Sequence, residues 1–255
     1  MAANIQDSIL LFGDSITQSG WCEGGFAQLL AAEYNRKLDV INRGLSGYNT
    51  EWGLAAFKHI FAPREKQPSL PVVRLLTIWL GANDAALPGD KQHVSFHQYM
   101  ENIHTMASIV QSPTSPYYSP RTRIVLLTPP PVNPTQFLQG LNRTPEHTKR
   151  YVDGVKLVGE ELNLPVVDVW SLFWEKASEK QEGLVPFLSD GLHLTKDGYK
   201  MVFDALMETI KTSYPELTPE KLPHVFPCWD QLDPDNIGPC ARTYQTQCIS
   251  RNPPN

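Results

Sequence analysis

Ser8-Ile9-Leu10-Leu11-Phe12-Gly13-Asp14-Ser15-Ile16-Thr17 passes from a short apolar run into glycine and then into polar residues. Five residues rich in Leu and Ile, with no polar alternation, predict a strand covered on both faces. The glycine lets the backbone turn sharply where a Cβ would clash. Ser15 then stands just past the end of a buried strand. Its hydroxyl is either a nucleophile awaiting a base or a cap for the following helix.

The same transition recurs along the chain. Asp39–Asn42, Val72–Leu80, Arg123–Thr128 and Val166–Trp170 are further apolar runs, each read as a buried strand. Helical spacing fills the intervals: Gly25–Tyr34, Glu51–Phe61, Ser95–Gln111, Arg143–Leu162 and Lys196–Ser213. In the last of these Tyr199, Val202, Phe203, Leu206 and Ile210 repeat at three and four. Strand followed by helix, repeated in this way, predicts an α/β fold with a parallel sheet and helices on both faces. Ligands in such sheets bind beyond the carboxyl ends of the strands, so chemistry is expected in the loops that follow the apolar runs.

Four of those loops carry reactive or hydrogen-bonding residues. The first holds Ser15. The second is Asn42-Arg43-Gly44-Leu45-Ser46-Gly47, where a backbone N–H at Gly44 can approach a substrate oxygen unhindered. The third, Gly81-Ala82-Asn83-Asp84, offers the Asn83 amide as a donor; Asp84 is read as holding that loop by hydrogen bonds. The fourth, Ser189-Asp190-Gly191-Leu192-His193-Leu194-Thr195, puts a carboxylate three residues before an imidazole, so that Asp190 can fix the tautomer of His193. Taken singly, each has a structural alternative: a helix cap, turn glycines, an Asx-turn, a solvated loop histidine. Taken together, they supply a nucleophile, a base, its carboxylate partner and an oxyanion site, where one donor is typically worth about 3 kcal/mol.

With these blocks in that order, Gly-Asp-Ser-Ile-Thr around Ser15, the glycine block at Gly44, Gly-Ala-Asn-Asp around Asn83 and Asp-Gly-Leu-His ending at His193, the sequence resembles the SGNH, or GDSL-type, hydrolase superfamily over about residues 8 to 213. The resemblance implies a flavodoxin-like three-layer α/β/α sandwich with strand order 2-1-3-4-5. It implies Ser15 as nucleophile, His193 as base and Asp190 as its partner. It also implies an oxyanion hole formed by the N–H groups of Ser15 and Gly44 and the Asn83 side chain, with no cofactor and no metal. The stretches Phe12–Thr17, Asn42–Thr50, Gly81–Ala85, Asp190–Tyr199 and Thr128–Pro131 look most like the isoamyl acetate-hydrolysing esterase group. That narrower likeness implies acetate esters of small alcohols as substrates. Other acyl hydrolases of the same fold (thioesterases, lysophospholipases, carbohydrate deacetylases) stand as alternatives, with a non-catalytic binding module on that fold behind them.

The rest of the sequence limits the partners. With 22 basic against 27 acidic residues the net charge is −5, and no basic block offers a surface to nucleic acid. No run approaches the roughly 20 apolar residues of a membrane span, and the N-terminus lacks the basic region of a secretion signal, so a cytoplasmic location is expected. Cys22, Cys228, Cys240 and Cys248 form no Cys-x-x-Cys pair and are expected as free thiols. His93, His97, Glu101 and His104 have ligand-like spacing, but the core face of their helix is expected to be Phe96, Met100, Ile103, Ala107 and Val110, which leaves the histidines toward water. A zinc set of His224, Cys228, Cys240 and Cys248 would need long loops. Residues 1–215 are therefore read as the hydrolase domain. The segment 216–255, with seven prolines, is read as an extension packed on that domain or on a second copy in a homodimer.

Overall fold

The computed structural model describes residues 6–137 and 142–232. Five parallel strands form the sheet: β1 (Ser8–Gly13), β2 (Asp39–Gly44), β3 (Val73–Trp79), β4 (Arg123–Leu127) and β5 (Val166–Val167), in the order β2-β1-β3-β4-β5. Alternate residues of the strands feed two separate cores, which explains why the runs read as continuously apolar. Ile9, Leu11, Leu75, Trp79, Val125 and Leu127 face one side. There they meet α2 (Phe26–Glu33), α6 (Val169–Lys176) and α7 (Lys196–Ser213) through Phe26, Leu30, Phe173, Val202 and Leu206. Leu10, Phe12, Leu76, Ile78, Ile124 and Leu126 face the other side. They meet α3 (Thr50–Ile60), α4 (Phe96–Gln111) and α5 (Pro145–Leu162) through Phe57, Tyr99, Ile103, Tyr151 and Val155. The result is the three-layer α/β/α sandwich expected from the sequence.

Side-chain caps set the helix starts. Asn49, Ser95, Thr144 and Thr195 each accept a hydrogen bond from a backbone N–H in the first turn of α3, α4, α5 and α7. Three elements differ from the expectation. β2, at the edge of the sheet, has no fully buried residue where a buried strand was read, because only β1 pairs with it. The apolar run Val166–Trp170 is strand only at Val166–Val167; Asp168 then caps α6 by accepting from Ser171 N at 3.1 Å, so Val169 and Trp170 belong to a helix. The buried face of α4 is centred on Tyr99, Asn102, Ile103, Met106, Ala107 and Val110, while Phe96 and Met100 are half-buried. Polar bonds turn the helix: Tyr99 O–H donates to Leu80 O at 3.1 Å, and Asn102 Nδ2 donates to Thr50 Oγ1 at 3.0 Å.

The described part of the C-terminal extension lies against the end of α2. Leu217 is buried in the first core. Tyr34 O–H donates to Leu217 O at 2.9 Å, Lys37 Nζ to Pro219 O at 2.7 Å, and Arg36 Nη2 to Phe226 O at 3.0 Å and Pro227 O at 2.8 Å. Cys240 and Cys248, and with them the zinc set, lie outside the described residues. Among the described residues no helix is long and apolar enough to cross a membrane, and no group of three or more His, Cys, Asp or Glu is placed to hold a metal ion.

Candidate active site

Strand register brings three loops to one level. Gly13 pairs with Gly44 of β2 and with Trp79 of β3, so the segments after all three strands leave the carboxyl edge side by side. Gly13 is required there, because a Cβ would sit 2.1 Å from Thr17 Oγ1 and 2.4 Å from Trp79 O. Asp14 then caps the short helix α1 (Ser15–Gln18) by accepting from Ile16 N at 2.9 Å. Ser15 is thus the first residue of a helix, where the N–H has no partner within the helix.

The fourth loop arrives by a longer route than a strand-to-helix turn. Between β5 and His193 lie α6 and a short turn of 3-10 helix at Gln181–Leu184. A bridge between Leu188 and Leu194 pinches the loop, and Asn133 N donates to Gly191 O at 2.8 Å to fasten it beside the segment after β4. Within it Asp190 Oδ1 accepts from the N–H groups of Leu192 at 2.9 Å and His193 at 2.8 Å. Asp190 Oδ2 lies 2.7 Å from His193 Nδ1, and His193 Nε2 lies 2.9 Å from Ser15 Oγ. Partial burial pushes the Asp190 carboxyl up, but the bonds from the His193 ring and the two N–H groups outweigh it, so Asp190 titrates below the usual carboxylate range. An ionised carboxylate only accepts, so the proton sits on Nδ1 and Nε2 is left to accept from the Ser15 hydroxyl.

Asn83 is buried beside this row, in a loop begun by Gly81 at φ +125°. Its Nδ2 donates to Tyr48 O at 2.9 Å. Its Oδ1 accepts from Gln92 Nε2 and from Arg143 Nη2, both at 3.1 Å. Gly44 is placed differently from the expectation. Its N–H donates to Asn42 Oδ1 at 2.8 Å, and a Cβ there would fall 2.0 Å from Gln18 N, so this glycine serves the close packing of β2 on α1. Gly47, three residues on, has φ +80° and a carbonyl that accepts from Gln92 Nε2 at 2.8 Å; among the described residues its N–H meets no acceptor. The turn signal Leu45-Ser46-Gly47-Tyr48 was available in the sequence. Gln92 and Arg143 carried no signal, since only the fold sets them against Asn83.

Two buried carboxyls stand under the site. Burial lifts Asp14 to about 6, against the lowering effects of the Ile16 N–H and of the charges on His193 and Arg143. Burial lifts Asp84 to about 7, opposed by bonds from Thr50. Asp84 Oδ1 accepts from Thr50 N at 2.9 Å and Thr50 Oγ1 at 2.5 Å, so it ties its loop to the first turn of α3. Cys22 is exposed. Of the histidines on and before α4, His97 is exposed beside Glu101, while His93 is half-buried with Nδ1 2.6 Å from Ala86 O.

Comparisons with known proteins agree with one another. Residues 11–201 match the GDSL-like lipase/acylhydrolase family. A GDSL esterase/lipase of Arabidopsis thaliana is 35% identical, over 96% of this chain and 100% of its own. The human isoamyl acetate-hydrolyzing esterase 1 homolog is 35% identical over 87% of this chain and 86% of its own, and the isoamyl acetate-hydrolyzing esterase of Saccharomyces cerevisiae is 29% identical over 89% and 96%. Among solved structures, a lipase/acylhydrolase from Enterococcus faecalis superposes with a TM-score of 0.61 at 24% identity, covering 86% of this chain and 98% of that one. An acetylxylan esterase from Geobacillus stearothermophilus superposes with a TM-score of 0.60 at 21% identity, covering 82% and 96%. The chain therefore belongs to the GDSL-like lipase/acylhydrolase family and is a carboxylic ester hydrolase.

Proposed function

We propose that the protein hydrolyses short-chain carboxylic esters, with acetate esters of small alcohols such as isoamyl acetate as the preferred class, through an acyl-enzyme on Ser15. The observation that carries this reading is the unbroken row from Asp190 Oδ2 to His193 Nδ1 at 2.7 Å and from His193 Nε2 to Ser15 Oγ at 2.9 Å. In the first half-reaction His193 Nε2 takes the Ser15 proton as Oγ attacks the ester carbonyl, and Asp190 stabilises the imidazolium that results. The tetrahedral oxyanion is received by the Ser15 N–H and the Asn83 amide. Gly47 takes over the backbone role expected of Gly44, because the Gly44 N–H is already engaged by Asn42. The imidazolium then protonates the leaving alcohol. Water, losing its proton to His193, releases the acid and restores Ser15. The proton bookkeeping closes within the protein's own side chains, so the reaction calls on no cofactor. Residues 1–215 form the catalytic unit in this reading, and the described part of the extension that begins at Glu216 braces it.

The substrate class rests on the isoamyl acetate-hydrolyzing esterases among the relatives. The test is the rate of p-nitrophenyl acetate hydrolysis by Ser15→Ala beside wild type, together with kcat/KM over acetate, butyrate and octanoate esters, a thioester and an acetylated sugar. Loss of turnover in Ser15→Ala and a preference for acetate esters are expected. Turnover retained by Ser15→Ala would remove Ser15 from the reaction, and a preference for the thioester, the long acyl chain or the sugar would overturn the substrate class.

A further inference from the structure

We infer that Arg143 is a positioning residue for the oxyanion site: acting with Gln92, its guanidinium fixes which end of the Asn83 amide meets the substrate and strengthens that amide as a donor. The inference rests on the esterase reading above and adds a residue to it.

Arg143 precedes the Thr144 cap of α5 and is 7% exposed. Burying a guanidinium is costly unless its donors are matched. Among the described residues no carboxylate lies within ion-pair distance of it. Its partners are neutral oxygens on one edge of the site: Ala82 O at 2.5 Å from Nε, and Gln92 Oε1 at 2.9 Å and Asn83 Oδ1 at 3.1 Å from Nη2. Asp90, Asp14 and Asp84 act on its charge from farther away. A group that served only to join loops would gain more from an apolar or directly paired side chain; this one keeps its charge on the back of Asn83.

Three consequences follow from the contacts. A guanidinium has donors and no acceptor, so the Asn83 atom that faces it must be Oδ1, and the amide cannot flip. Nδ2 is then turned away; one of its hydrogens is held by Tyr48 O and the other is left for an oxyanion. Gln92 locks the second wall, since its Nε2 reaches both Gly47 O at 2.8 Å and Asn83 Oδ1 at 3.1 Å, so the Gly47 turn and Asn83 form one unit. Finally, a cation bonded to Oδ1 draws electron density from the amide nitrogen, which makes the remaining N–H a stronger donor in a site of low dielectric.

The experiment is a double-mutant cycle in kcat and KM for p-nitrophenyl acetate, using Arg143→Gln, Asn83→Ala, their combination, and Arg143→Lys. Arg143→Gln is expected to lower kcat about 10- to 100-fold with KM nearly unchanged, as for loss of a transition-state contact. In the Asn83→Ala background the same change is expected to cost less than about threefold, because the two groups act in series. Arg143→Lys is expected to recover part of the loss, keeping the charge without the fork. Wild-type kcat in Arg143→Gln, or the same factor in both backgrounds, would overturn the inference. If Arg143→Gln does not fold, Gln92→Leu takes its place in the cycle, and additive losses there overturn it equally. Turnover retained by Ser15→Ala would defeat the esterase reading and this inference together. An inactive Ser15→Ala with an additive cycle would defeat this inference alone.

Discussion

At the scale of single residues, Asp190 and Asp14 are two carboxyls of the same site that do different work. Asp190 bonds to Nδ1 and is held ionised by that bond and its two backbone donors. Asp190→Asn keeps the shape but offers an N–H to Nδ1, so the ring is driven toward the tautomer that cannot take the serine proton. A loss of kcat on the order of 10³- to 10⁴-fold is expected, measured in steady state. Asp14 instead starts α1, where it accepts from Ile16 N at 2.9 Å and is lifted to about 6 by burial.

Among the elements, α6 shows how one residue can end a strand and start a helix. Asp168 Oδ1 accepts from Ser171 N at 3.1 Å and from Thr128 Oγ1 at 3.3 Å, and Oδ2 pairs with Lys156. Burial raises the Asp168 carboxyl, but the bonds from Lys156 and Ser171 prevail and it titrates below its usual range. Asp168→Ala is expected to destabilise the fold by about 1–2 kcal/mol in urea unfolding, the usual worth of a helix cap. Asp168→Asn, which keeps the cap, is expected to lose less. Equal losses would place the effect in the ion pair. The Gly81–Asp84 loop is a second such joint, and Asp84 makes it pH-sensitive. Burial raises Asp84 from the ordinary 3.8 to about 7, so between these values the folded chain holds a proton that the unfolded chain has released. Stability therefore falls as pH rises across that window. Asp84→Asn is expected to flatten the decline of Tm between about pH 4 and 7, and an unchanged decline would sink the assignment.

For the whole molecule, the carboxyl edge of the sheet gathers Ser15, Asn83 and His193, while the described part of the extension braces the far end of α2. Leu217 is buried against the core that holds Tyr34, and its carbonyl takes the Tyr34 hydroxyl. Leu217→Ala is expected to cost about 2–5 kcal/mol of unfolding free energy, as for other buried leucines. The kcat of the folded fraction is expected to stay near wild type. A fall in kcat with stability unchanged would mean that the extension reaches the site.

Much of this was legible in one dimension because buried parallel strands must be apolar on both faces, and ligands must then collect where the strands end. The runs at β1, β3 and β4 and the alternation with helices follow from that rule, and the loop motifs pointed to the segments that bring Ser15 to His193 and His193 to Asp190. The short β5 was not legible, because Val169 and Trp170 are as apolar as a strand and only the cap at Asp168 assigns them to a helix. Nor was the place of Gly44, since two glycines in one loop look alike until register presses the first against α1. Arg143 and Gln92 lie about 50 positions apart, and their bond to each other and to Asn83 exists only after α5 has packed beside the loop before α4. Sequence alone determined the fold class, the ester-hydrolase family and the edge at which the loops meet; the tertiary structure decided how the side chains there are bonded, because orientation is set by contacts between segments that no local pattern records.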